Sequence, residues 1–274
     1  MRTTVLTSML LLAITVPLFA AGQYEADLAW DSRYKGAEGA VAPRAGIHAA
    51  IVLYERALER TESVDIQVQI LWKLMRCHHY LAHFTDAPAT ECTSARSHHI
   101  ELGKRGMALL QREFDFKADD PPEAIAQKIR RDADALKIFL WQAFGWDELA
   151  RTLRPWQVVR QGIPAKIRDL ATVCALVDKE TSSRAPYRLL GRWAENEEQA
   201  EEWLRLSQRP SSKEPLNRLD LAELLIDRGR SEEAVKILSA LLETEPRPGH
   251  AVEDQAALGL ARFLLGTAPD ACTK

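Results

Sequence analysis

Five of the seven histidines in this chain fall between His78 and His99. Imidazole is the commonest protein ligand for transition metals and the side chain that titrates nearest neutral pH. His79 and His83 are four residues apart, so in a helix they share one face, one turn from each other, and could grip a divalent ion through two nitrogens. His98 or His99, arriving from the next helix, would add a further donor. No Asp or Glu stands at a telling offset from the pair. A packed or solvated histidine group is therefore the favoured reading, no metal is assigned, and an ion site on His79, His83, His98 and His99 is the alternative.

Aromatic residues form the second group. Phe139, Trp141, Phe144 and Trp146 crowd one segment and Trp156 follows it; such rings anchor protein interfaces and line ligand cavities, but they also fill cores. Phe139 and Phe144 are expected in the core. Trp72, Trp141, Trp146, Trp156 and Trp193 are the candidates for a partner or ligand groove. Arg188 and Arg192, beside Trp193, either meet an acidic partner or lie on a solvated helix face. Glu197, Glu198, Glu201 and Glu202 belong to a charge run, which is ordinarily solvated. The chain lacks a serine nucleophile elbow, a metalloprotease helix, a paired Cys/His setting and a glycine-rich phosphate loop. It reads as a non-enzyme without a cofactor.

The elements that must position these groups are helices. The stretch from Asn217 to Pro246 shows it best. Leu221, Leu224 and Leu225 stripe a first helix, Gly229 ends it, Ser231 caps a second, and Ala234, Leu238, Leu241 and Leu242 recur on one face before Pro246. Small Ala222 and Ala234 mark where the two rods cross. Such a hairpin cannot bury its apolar face alone and needs similar neighbours on both sides.

Further units supply them. Ala26 to Arg60 gives a first hairpin, with Ala26, Leu28 and Trp30 on one helix, Ala50, Tyr54 and Ala57 on the other, and a long connection through Gly36, Gly39 and Pro43. Val64 to Phe84 is apolar on two sides, as a stacked helix is. A loop from Thr85 to Thr93 leads to a return helix from His98 to Gln111, where Gly103 and Gly106 allow close approach. Asp119 and Asp120 are expected to cap a helix that Pro121 and Pro122 open. Helices around Ile167 to Cys174, Ala185 to Ala194, Ala200 to Leu206 and Ala251 to Leu265 complete about five units. The class is all-α: stacked antiparallel helical hairpins in a TPR-like α-solenoid or curved bundle.

Residues 1–22, with Arg2 ahead of an apolar run and a break at Pro17, have the form of a secretory leader cleaved after Ala20 or Gly22. An uncleaved anchor is the alternative, but the run is short for a span. Residues 23–274 then form one exported helical domain in the periplasm, without a stable membrane anchor. The whole chain carries a net charge of −3 with both signs interspersed, which argues against nucleic acid as a partner. Of the cysteines, Cys77 and Cys92 could close a short disulfide loop in an oxidising compartment, and Cys174 reads as a buried thiol.

The order of segments, with ADLAWDSR and LYERALE, HHIELGKRGMALL, FLWQAFGWDELA followed by GIPAKI, YRLLGRW and NRLDLAELLIDRGRSEEAVKIL, resembles the tetratricopeptide-like T components associated with TRAP transporters, the tripartite ATP-independent periplasmic uptake systems. The resemblance implies a helical binding or scaffold protein that engages a periplasmic solute-binding protein, offers a cavity for an apolar small molecule, and could form a homo-oligomer. Members are often lipid-anchored. This chain has no acceptor cysteine near residue 22, and its segment between Trp193 and Ala200 is short.

Overall fold

The hairpin that is clearest in the sequence is also closed most completely in the structure, a computed structural model that describes residues 18–177, 184–208 and 214–267. Its first helix spans Pro215–Asp227 and its second Ser231–Leu242. Gly229 adopts φ +72°, the left-handed region that glycine enters without steric cost. This lets Arg230 N–H donate to Leu225 C=O at 2.8 Å and Gly229 N–H to Ile226 C=O at 2.9 Å, the paired bonds of a Schellman ending. Ala222 and Ala234 are both fully buried. Ser231 is not the cap: it is the first helical residue, Arg230 holds the cap position, and no side chain caps the helix. Glu232 and Glu233 instead set negative charge against the positive end of the dipole.

Among the described residues there are thirteen helices and no strands. In chain order they are α1 (Leu18–Asp31), α2 (Arg44–Arg60), α3 (Val64–Phe84), α4 (Ala89–Glu113), α5 (Pro122–Ile129), α6 (Ala133–Thr152), α7 (Pro155–Arg160), α8 (Ile163–Val177), α9 (Ala185–Arg192), α10 (Glu197–Ser207), α11 and α12 as above, and α13 (Ala251–Thr267). The pairs α1/α2, α3/α4, α6/α8, α9/α10 and α11/α12 stack in sequence, α5 and α7 are short inserts, and α13 closes the array. The return helix α4 begins nine residues before His98, at Ala89, because Pro88 supplies a rigid start and Glu91 sits in the first turn. Asp120 does not cap α5. Its carboxylate accepts from Lys117 N–H at 3.0 Å, and Pro121 takes the cap position.

Two glycines on α4 decide how closely α4 and α6 approach. A Cβ on Gly103 would stand 1.4 Å from Gln142 Oε1, and one on Gly106 would stand 2.8 Å from Ile138 Cδ1. That approach carries α6 across the C-terminal half of α3. α13 also returns to α3, where Arg33 lies 4.9 Å from the Tyr80 ring centroid. There the buried Arg33 guanidinium donates to Gly249 C=O at 2.5 Å and to Glu253 at 2.7 Å while lying 3.9 Å from the Trp30 ring centroid. No helix among the described residues is long and apolar enough to cross a membrane. The expected leader lies largely outside the described residues.

Candidate metal centre

The last six residues of α3 carry His79 and His83 one turn apart, and α6 brings Glu148 to them. Trp141, Phe144 and Glu148 recur at i, i+3 and i+7 on α6, so the carboxylate rides on the same inward face as the two rings. Glu148 is 6% exposed. Its Oε1 is in direct hydrogen-bond contact with His79 Nδ1, and its Oε2 lies 3.3 Å from His83 Nε2. Oε2 itself is buried without a hydrogen-bond partner. One donor atom from each of the three residues lies within 4.8 Å of the others. Ligands of one tetrahedral ion stand ~3.4 Å apart when its bonds are ~2.1 Å, so for one ion to reach all three the hydrogen-bonded pair of His79 Nδ1 and Glu148 Oε1 has to open and the most distant donors have to close in.

Electrostatics keep the carboxylate ionised. Burial works against its charge, but the imidazoles of His79 and His83 outweigh burial and hold Glu148 well below the usual carboxylate range. The two imidazoles also sit in the last turns of α3, at the negative end of its dipole, where a cation is favoured. His99, from α4, stands behind His79 with ring centroids 6.4 Å apart. Its Nε2 lies 2.8 Å from the Trp141 carbonyl, so Nε2 carries the proton and donates, and the buried Nδ1 is left without a partner. Burial pushes His99 down to about 4, against the pull of Glu148 the other way. Gly145 makes room for this ring, since a Cβ there would lie 3.0 Å from His99 Cδ2. Phe84, Trp141 and Phe144 surround His79 at centroid distances of 5.8, 5.4 and 6.3 Å.

The expected histidine group is therefore divided. His79 and His83 converge with a carboxylate that no local spacing announced. His99 supports them from behind, and His98 leaves the set altogether: it stacks on His78 at 5.3 Å, and its Nδ1 lies 2.9 Å from Ser94 C=O. Cys77 and Cys92 are not bridged. Cys77 is fully buried and Cys92 Sγ turns to Ala87 C=O at 3.4 Å, so both remain free thiols.

The five candidate tryptophans do not share a groove. Trp72 is buried and donates to Asp134 at 2.9 Å. Trp193 donates to Asp147 at 2.8 Å. Trp146 lies half-buried under Lys166, Trp141 belongs to the histidine site, and only Trp156 is exposed, at 55%. Arg188 and Arg192 do meet acidic residues, but within the chain: both reach Asp220, each at 3.5 Å. In the charge run, Glu201 is held by Arg205, Arg228 and Arg230.

Two imidazoles and one carboxylate form a donor set suited to zinc, cobalt, nickel, copper or iron, and too few hard oxygens for calcium or magnesium. With three protein donors, an ion keeps at least one position for an outside ligand. No family model matches this chain, and comparison with curated proteins and with solved structures gives no match.

Proposed function

We propose that this protein is a helical-repeat metal-binding protein that holds one divalent transition ion through His79, His83 and Glu148. The observation that carries the proposal is the buried Glu148 carboxylate directed between two imidazoles from another helix. A buried carboxylate needs compensation, and a lone ion pair would be met by one histidine. Two histidines at i and i+4 converging on both of its oxygens suit a cation better. Export to the periplasm, expected from residues 1–22, would expose the chain to metal ions outside the cytoplasm. Equilibrium dialysis against zinc, with metal counted by mass spectrometry, tests the proposal. About one equivalent bound by the wild type and none by His79→Ala/His83→Ala is the expected result; no stoichiometric uptake by the wild type overturns it.

A second reading is that of a scaffold for a protein partner, such as the solute-binding protein suggested by the transporter resemblance. What favours it is α7, which presents Trp156 and Val159 to solvent at 55% and 73% exposure beside a shallow concavity formed with Gln157, Arg160 and Gln161. Capture of a solute-binding protein from periplasmic extract by the wild type, lost in Trp156→Ser/Val159→Ser, supports this reading. Equal capture by both removes α7 from it.

A further inference from the structure

The segment that contains α7 departs from the rest of the chain in charge. Overall the chain is net negative, yet from Leu149 to Arg168 there is no acidic residue against five basic ones, Arg151, Arg154, Arg160, Lys166 and Arg168. Three of the five are engaged within the fold. Arg151 meets Asp147 at 3.3 Å, Arg168 meets Glu195 at 3.1 Å, and the Lys166 ammonium lies 4.5 Å from the Trp146 ring centroid. Arg154 and Arg160 are exposed, and among the described residues neither has an acidic partner.

These two guanidiniums bracket α7, Arg154 at its cap position and Arg160 as its last residue. Trp156, Val159 and Arg160 fall at i, i+3 and i+4 and so share one face. Val158 turns inward and is buried, whereas Trp156 and Val159 stand out in solvent. Beside Trp156 the shallow concavity is lined by Gln157, Arg160 and Gln161, whose amide and guanidinium N–H groups suit a phosphodiester oxygen. The result is a protruding apolar tip bordered by unpaired positive charge.

We infer that α7 docks the protein reversibly on an anionic phospholipid surface, with Trp156 and Val159 entering the headgroup layer and Arg154 and Arg160 meeting lipid phosphates. The inference goes beyond the metal site and does not depend on it. An indole suits that layer because its ring is apolar and its N–H stays hydrated. Basic side chains beside it are drawn to an anionic leaflet. A protein on the same surface would need acidic groups set against both guanidiniums and a pocket shaped for the indole. A bilayer supplies negative charge at every position and yields to a protruding side chain. Two apolar residues and two free cations fit a contact that forms and releases, not an anchor.

Co-sedimentation of the full chain with lipid vesicles tests this. Vesicles of phosphatidylcholine alone are compared with vesicles of equal parts phosphatidylcholine and phosphatidylglycerol at about 0.1 M salt, where the Debye length is ~10 Å. The expected result is binding to the anionic vesicles at least about tenfold stronger than to phosphatidylcholine, lost on raising the salt to about 1 M. Arg154→Gln/Arg160→Gln should weaken it ~30-fold, which is two charges at ~1 kcal/mol each. Trp156→Ser/Val159→Ser should weaken it at least about tenfold through lost apolar burial. All four positions are exposed, so the far-UV circular dichroism of both variants should match wild type. No binding to anionic vesicles, or equal binding to both kinds, overturns the inference, and wild-type binding by both double variants removes α7 from it. Capture of an acidic protein through α7 without any vesicle binding gives the surface to a protein partner and overturns the inference as well. Zinc uptake by the same variants should stay at the wild-type level, so the two proposals fail separately.

Discussion

Glu148 and His79 stand 69 residues apart in the chain and in direct contact in the fold. The contact exists because α4, made thin by Gly103 and Gly106, lets α6 settle against it and across α3. If this pair is half of a metal site, neutralising the carboxylate should matter more for the ion than for the fold. Glu148→Gln keeps the size and removes the charge. We expect zinc affinity to fall by about two orders of magnitude, equivalent to ~3 kcal/mol, measured by calorimetry in the metal-loaded range. The apo protein's unfolding free energy, from urea titration, should change by less than that. A variant with wild-type affinity would exclude Glu148 as a ligand.

Gly145 and Gly259 make a matched pair of predictions. A methyl at Gly145 meets His99 at 3.0 Å and the adjacent Ile100 at 3.0 Å in a filled region, whereas one at Gly259 meets nothing within 4 Å. Gly145→Ala should therefore destabilise by ~1–3 kcal/mol through overpacking. Gly259→Ala, on an exposed helix interior, should stabilise by up to ~1 kcal/mol through reduced unfolded-state freedom. Urea unfolding of the two variants against wild type checks both signs.

The hairpins were readable because their signals are local: the Leu221 to Leu242 pattern and Gly229 lie within thirty residues, and each small residue at a crossing predicts close approach on its own. The close packing at Gly103 and Gly106 was foreseeable for the same reason. The site was half legible. His79 and His83 were readable by spacing as the core of an alternative ion site, but the Glu148 carboxylate beside them comes from another hairpin, and sequence offset carries no information across such a distance. A trace of it was present. Glu148 follows Trp141 and Phe144 at helical intervals, so an acidic residue was written onto an apolar face, and a buried carboxylate calls for a partner. The tryptophans are dispersed because ring type says nothing of direction: Trp72 donates to Asp134 and Trp193 to Asp147. The Asp120 cap failed because its carboxylate takes another local bond, from Lys117 N–H, and the Ser231 cap because the helix begins one residue earlier than the hydroxyl's position requires, with Arg230 at the cap.

Where α13 returns to the first hairpin, Arg33 and Glu253 give the fold a pH dependence of definite sign. Burial alone would raise the Glu253 carboxyl, but His250 and Arg33 more than offset it and bring it down to about 2. A carboxyl lowered in the folded state stabilises fully above its ordinary value near 4.5, and that stability is lost as pH falls towards about 2. The loss should be on the order of 2 kcal/mol across that window. Glu148, Glu201 and Glu233 are also lowered and add to the same slope, so the difference between wild type and Glu253→Gln is the informative quantity. Urea midpoints at pH 5 and pH 3 should fall less in the variant; parallel falls would show that the Arg33 clasp contributes nothing.

X-ray absorption on the zinc-loaded protein reads the ligand set most directly. The account predicts a first shell of nitrogen and oxygen at ~2.0–2.1 Å with outer-shell scattering from two imidazoles. A sulfur shell at ~2.3 Å, drawn from Cys77 or Cys92, or a spectrum without imidazole scattering, would contradict it.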